Sequence, residues 1–305
     1  MLQKFNEQNE NIYIYVKDGL YKRAEAKISV FDSVVQGGDA VWEGLRIYDG
    51  GVFKLHEHLN RLMDSAHAMA FENIPSKEKI INCLYATLNA NQMYDDVHTR
   101  LTLTRGEKIT SGMDPRLNQF GPSLIILPEW KPLVYDNDNG ITVISSAIRR
   151  NSPSFLDSKI HHNNLINNIL AKIQANKAGV DAALMLDNYG FAAELNGSNI
   201  FVIRDGILFT PFADACLHGI TRSQVLDLAK SEGISSQEKN LSLTEIYTAD
   251  EMFCTGTWGE LTPITEVDGR KILNKTGSHV TKRLQAAFKE DITNHITDID
   301  KTVRI

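Results

Sequence analysis

Apolar and β-branched residues alternate with polar ones over 11–16, 27–31, 52–55, 98–104 and 123–127, the period-two pattern of strands with one buried face. Between these runs the period changes. Over 56–70 and 76–91 apolar residues recur three and four apart, and Ser76 followed by Glu78 gives the second segment a capped, acidic start, so two helices are predicted there. The stretch EWKPLVYDNDNG (129–140) mixes Pro, Asp, Asn and Gly without periodicity and reads as a linker. It divides the chain into an N-terminal domain over 1–130, a connection over 131–138 and a C-terminal domain over 139–305. Beyond it the strands are short and separated by hairpin signals: DNYG at 187–190, RDG at 204–206 and VDG at 267–269. Helices are predicted over 164–178, 221–232 and about 278–296. Helices follow groups of strands and do not alternate strictly with them, which favours an α+β fold over a doubly wound sheet.

Composition narrows the function. A chain of 305 residues is long enough for about two domains. Its net charge of −6 argues against nonspecific binding to nucleic acid or an anionic membrane, so a small anionic ligand would need a local basic site. The start, MLQKFNEQNENIYIYV, lacks a signal-peptide pattern, and no run reaches the roughly 18 apolar residues of a membrane span, so a cytoplasmic location is expected. Cys83, Cys216 and Cys254 lie far apart without CxxC spacing and read as reduced packing residues.

Candidate chemistry gathers in the second domain. Lys159, in LDSKIHHNNLINN, follows a strand-like segment and a Ser-Pro turn and precedes the 164–178 helix. Glu194 lies on a hairpin strand among small apolar neighbours, five residues before Asn199. LHGITR (217–222) opens a helix with a Gly turn and a Thr at the expected cap, leaving backbone N–H groups for an anion. TGTWGELTP (255–263) is a Gly- and Thr-rich turn after a strand. Each feature alone is commonplace; together they give a lysine, a carboxylate and two anion-binding turns. A metal site at His161 and His162 is disfavoured, because adjacent residues of an extended segment point to opposite faces and only Asp157 lies near as a third ligand.

That order resembles the fold-type IV pyridoxal-phosphate enzymes, or class IV aminotransferases, which include branched-chain and D-amino-acid aminotransferases and 4-amino-4-deoxychorismate lyase. The likeness spans nearly the whole chain. It is carried by G-x-x-x-E-x-x-x-S-N-x-F, DG-x-L-x-TP, GITR, ADE-x-F-x-TGT and E-x-TP between Gly190 and Pro263, and by GGDAVWEGLRIYDGGVFKLHEHLNRL near the N-terminus. The resemblance implies a two-domain fold with a smaller N-terminal domain and a larger, barrel-like C-terminal one, pyridoxal 5′-phosphate as cofactor, and a homodimer or higher homo-oligomer. It implies that Lys159 bonds the cofactor and then moves the substrate proton, a task for a desolvated lysine. Glu194, near Asn199, would pair with the pyridine nitrogen and keep it protonated. Arg61 of EHLNRL, the amides of Ile220 and Thr221, and the Thr257 hydroxyl would hold the phosphate. The family often places a tyrosine after the lysine to contact the cofactor's ring oxygen; here it is absent, and Asn164 or His162 would take its place. Aligned without gaps through NNILAK, the lysine column falls on His161 and Lys159 stands two residues early. Lys159 is preferred, because Lys172, deep in the helix, is the other nearby lysine.

For the substrate, Arg100 and Arg105 of HTRLTLTRG could each meet a carboxylate, and Trp42 and Arg46 of VWEGLR stand where the family places pocket residues. Trp258 departs from the small residue usual in that turn of branched-chain enzymes and would reshape the pocket. The implied reaction is transamination between an amino acid, foremost a branched-chain L-amino acid, and a 2-oxo acid such as 2-oxoglutarate. The alternatives are a D-amino-acid aminotransferase or the lyase.

Overall fold

The computed structural model describes residues 3–304, which divide into two units. One comprises residues 3–132, 160–164 and 295–304. Its elements are β1 (Tyr13–Val16), β2 (Gly19–Lys22), α1 (Ser33–Gly37), β3 (Ala40–Tyr48), β4 (Gly51–Phe53), α2 (Leu55–Ala68), α3 (Lys77–Asn91), β5 (Val97–Thr104) and β6 (Ser123–Trp130). The strands form an antiparallel sheet in the order β4-β3-β5-β6-β1-β2. Leu59 and Leu62 of α2 and Leu84 and Leu88 of α3 bury themselves against Leu45, Ile47, Leu101 and Ile126 of the sheet. The Ser76 hydroxyl caps α3 by accepting from Lys79 N–H.

One strand here escapes the sequence pattern, and one expected strand does not form. Strand β3 has no alternating signature, because Glu43 and Arg46 are buried along with Val41, Leu45 and Ile47, so buried positions run in succession. Residues 27–31 form no strand. Their backbone is drawn into turns, with Asp32 N–H donating to Ser29 O and the Asp32 side chain capping α1.

The other unit comprises residues 133–159 and 165–294. It contains β7 (Ile141–Ser145), α4 (Ile166–Ala178), β8 (Ala182–Leu186), β9 (Ala192–Leu195), β10 (Asn199–Arg204), β11 (Ile207–Thr210), α5 (Ile220–Ser231), β12 (Ser236–Glu238), α6 (Leu243–Tyr247), β13 (Glu251–Gly256), β14 (Glu260–Val267), β15 (Arg270–Lys271) and α7 (Val280–Ile292). The sheet runs β12-β11-β10-β13-β14-β7-β8-β9, with β15 beside β14. β7 pairs in parallel with both β8 and β14, and most other pairs are antiparallel. A tight turn, closed by Leu195 N–H donating to Ser198 O, joins β9 to β10, so the sheet curls into a half-barrel. The three predicted hairpin signals lie between β8 and β9, β10 and β11, and β14 and β15. The last strand, β16 (Ile296–Asp298), pairs with β4 and completes the first sheet. The result is a two-unit α+β fold of the fold-type IV kind. No helix among the described residues is long and apolar enough to cross a membrane.

Candidate active site

Glu194 lies on β9, where Ala192, Ala193 and Leu195 are also buried, and its carboxylate is almost wholly withdrawn from water. Arg150 and Asn199 compensate the charge. Arg150 Nε lies 2.6 Å from one carboxylate oxygen, and Asn199 Nδ2 donates to the other at 3.1 Å. Asn199 also donates to Leu217 O at 3.0 Å, which ties the carboxylate to the loop entering α5. There the N-cap is Gly219, not a threonine, and no side chain caps the helix. The reason is steric: a Cβ at Gly219 would stand 2.0 Å from Asn199 Oδ1. Ile220 and Thr221 thus occupy the first helical positions, with the amides of an uncapped α5.

Asn199 pairs across the sheet with Thr255, so the turn 257–259 lies just beyond its end of β10. Thr257 and Trp258 are both half-buried in that turn, and Trp258 O accepts from Val134 N–H at 3.4 Å. Lys159 stands on the loop after a 153–155 turn, with its N–H donating to Asp157 Oδ1 and its Nζ 3.6 Å from the same oxygen. The Cys216 thiol reports on the neighbourhood. Burial, then the Glu194 charge, push it up to about 12, while Arg222, Arg150 and Lys159 pull it down. Lys159 therefore lies within electrostatic reach of Cys216, as Glu194 and Arg150 also do. The asparagines that follow are structural: Asn167 donates to Arg149 O and Asn151 Oδ1, and Asn168 to Asn196 O.

In the other unit, residues 161–163 run along β3: Trp42 N–H donates to His161 O, and Asn163 N–H to Ala40 O. Glu43, fully buried, gathers a second cluster. Arg61 donates to it from Nε at 2.8 Å and Nη2 at 2.7 Å, while His58 Nδ1 lies at 2.6 Å and His161 Nδ1 at 3.2 Å. Burial opposes its ionisation, but Arg61 and His161 outweigh it and hold the carboxyl well below its ordinary range. Burial depresses His58 and lowers His161 to about 4, against the upward pull of Glu43. The Trp42 ring lies 4.2 Å from the His161 ring and 3.8 Å from the Arg100 guanidinium. Arg100, lowered to about 10 by burial, donates to Asn163 Oδ1.

Arg46 and Arg105 are engaged by the fold. Arg46 is buried, donating to Lys131 O at 2.6 Å and Asp96 Oδ1 at 2.9 Å. Strand β5 ends at Thr104, and Arg105 turns to fork Asp39 and donate to the carbonyls of Met69 and Ala70 past the end of α2. Arg150, Glu43 and His58 escaped sequence reasoning. Glu43 lay inside the VWEGLR motif, whereas nothing in spacing distinguishes Arg150 from Arg149.

The donor set suits a phosphorylated pyridine: a buried carboxylate for a protonated ring nitrogen, uncapped amides and hydroxyls for a phosphate, and a nearby amine. A family model described as amino-transferase class IV matches residues 40–267. The chain is 55% identical over 283 residues to branched-chain-amino-acid aminotransferase-like protein 2 of Arabidopsis thaliana, covering 93% of this chain and 51% of that protein. It thus spans about half the length of that plant relative. It is 36% identical over 284 residues to the branched-chain-amino-acid aminotransferase of Pseudomonas aeruginosa, covering 90% of this chain and 91% of the other. The structure superposes on the T.th. branched-chain amino acid aminotransferase with pyridoxamine 5′-phosphate at a TM-score of 0.87 and 29% identity, covering 95% and 99% of the two chains.

Proposed function

Because the chain belongs to the class IV aminotransferases, a pyridoxal-phosphate-dependent family of transferases, we propose that it transfers the amino group of a branched-chain L-amino acid to a 2-oxo acid such as 2-oxoglutarate. The observation that carries this reading is the Glu194 carboxylate, buried and fixed by Asn199 beside the uncapped start of α5. Bound pyridoxal phosphate supplies an electron sink that lets the amino acid's α-carbon give up its proton. Glu194 holds a proton on the pyridine nitrogen. Ile220, Thr221, Thr257 and Arg61 bind the phosphate, Asn199 orients Glu194, and Lys159 bonds the cofactor and carries the substrate proton. Trp42, Arg100 and Trp258 shape donor choice, while Arg46 and Arg105 act by stiffening the strands beside them.

The surface of α4 supports self-association. Ile166, Ile169, Leu170 and Ile173 recur at helical spacing and are all exposed, between 42% and 58%, a stripe suited to the same face of a second copy in a homodimer. Three buried free cysteines suit a reducing compartment such as the cytoplasm.

The test is a panel of L- and D-amino acids with 2-oxoglutarate, alongside borohydride reduction and peptide mapping. Turnover of leucine, isoleucine and valine with the cofactor trapped on Lys159 supports the reading. Turnover of D-alanine alone, or release of pyruvate from aminodeoxychorismate, overturns it.

A further inference from the structure

Glu43 raises a question of charge. It is a fully buried carboxylate whose cationic partner is Arg61, forked onto both of its oxygens. If Arg61 turns its fork to a phosphate, a buried carboxylate loses its counter-charge, which is strongly unfavourable. Something must replace the guanidinium. Resting on the reading of Arg61 as a phosphate ligand, we propose that His161 is a positioning residue for phosphomonoester binding: it takes up a proton as the ligand binds and replaces Arg61 on Glu43.

The geometry fits. His161 Nδ1 lies 3.2 Å from Glu43 Oε1, the oxygen that Arg61 Nε occupies, and 3.5 Å from Arg61 Nη2. A protonated ring would therefore donate where the guanidinium now donates. The ring is held in place: the His161 N–H donates to Ser65 Oγ, its carbonyl accepts from Trp42 N–H, and Trp42 lies against its face. The charged and titratable groups around it are Glu43 on β3, and His58 and Arg61 on α2. Arg100 on β5 stands at the Trp42 ring. With Arg61 in place His161 is neutral, because burial and the neighbouring guanidinium disfavour its charge. An anion that draws Arg61 away removes the guanidinium's repulsion and adds negative charge, and both changes favour the imidazolium against the burial that opposes it. His58, the other imidazole on Glu43, is more deeply buried and its Nε2 finds no partner, so a second proton there would be left undonated.

Linkage makes this measurable, since a site that gains a proton on binding holds its ligand more tightly as pH falls. Pyridoxamine 5′-phosphate is the probe because it carries the phosphate yet cannot bond Lys159. Calorimetry at pH 7 in buffers of different ionisation enthalpy should show uptake of roughly half a proton or more per site, declining as pH rises. Pyridoxamine, without the phosphate, should show none. His161→Gln should still bind the phosphorylated probe, roughly tenfold more weakly at pH 7, with no uptake and a flat pH dependence of Kd between 7 and 8.5. His58→Gln should keep the uptake. Binding with no proton uptake in the parent, or uptake surviving in His161→Gln, overturns the proposal and leaves Arg61 as a phosphate ligand. A parent protein that fails to bind the probe overturns both.

Discussion

Replacing Gly219 with alanine tests the physical link between Glu194 and the start of α5. The backbone itself accepts alanine, since φ is −66°. The new Cβ, however, would meet Asn199 Oδ1 at 2.0 Å and Arg222 Cβ at 3.3 Å. Asn199 must retreat by more than an ångström to reach ordinary contact, and it is buried, with its donations to Glu194 and Leu217 O both depending on its position. Losing one charge-assisted and one neutral hydrogen bond costs about 2–4 kcal/mol. In a unit of this size that lowers Tm by roughly 4–16 °C. Cofactor affinity should fall as well, because the α5 amides and the Glu194 carboxylate move apart. Thermal unfolding and pyridoxal-phosphate titration should be run on the parent, Gly219→Ala, Asn199→Ala and the double variant. On the Asn199→Ala background the obstructing atom is gone, so the glycine change should then cost well under 1 kcal/mol. Parental Tm and affinity in Gly219→Ala, or an undiminished loss on the Asn199→Ala background, would refute the reasoning.

Glu194→Gln should retain bound cofactor yet slow the half-reaction with leucine about 100-fold or more, read by stopped-flow absorbance; a rate equal to the parent's would assign the ring nitrogen to another acid. Trp258→Ala should shift kcat/KM among valine, leucine and phenylalanine by about 1–3 kcal/mol with cofactor affinity unchanged, and an unaltered donor ranking would remove this indole from the pocket. Stability should fall in mild acid. Burial lowers His98 to about 3 and His161 to about 4, so their contribution is complete above the ordinary histidine value and is lost as pH falls below about 6.5, where the unfolded chain takes up protons that the folded chain does not. Each contributes up to about 1.4 kcal/mol per pH unit, so His98→Gln should flatten a plot of Tm against pH between 6.5 and 4.5, and an unchanged slope would contradict this account.

The hairpins of the second unit are legible in the sequence, because short polar turns between strands dictate their own backbone: DNYG, RDG and VDG each close the hairpin they announce. Strand β3 is illegible for the opposite reason. It buries a glutamate and an arginine among aliphatic residues, so buried positions follow one another and leave no alternation to read. The cap of α5 departs from expectation because threonine is a common capping residue, whereas here a glycine is required by a side chain twenty positions upstream. The Glu43 cluster brings together residues 43, 58, 61 and 161, and no local pattern joins the last to the others.

The pairing of β16 with β4 has a consequence for how the chain is made. Ile296 covers Gly51, whose Cα leaves room for no side chain: a Cβ there would stand 2.8 Å from Ile296 Cβ. Between the end of β4 at Phe53 and the start of β16 lie residues 54–295. At ribosomal speeds of about 5–20 residues per second, this edge of the first sheet waits on the order of 10–50 s for its partner strand. Throughout that interval the nascent protein presents an open row of backbone donors and acceptors, a surface that other strands can join and that a ribosome-associated chaperone would have to shield.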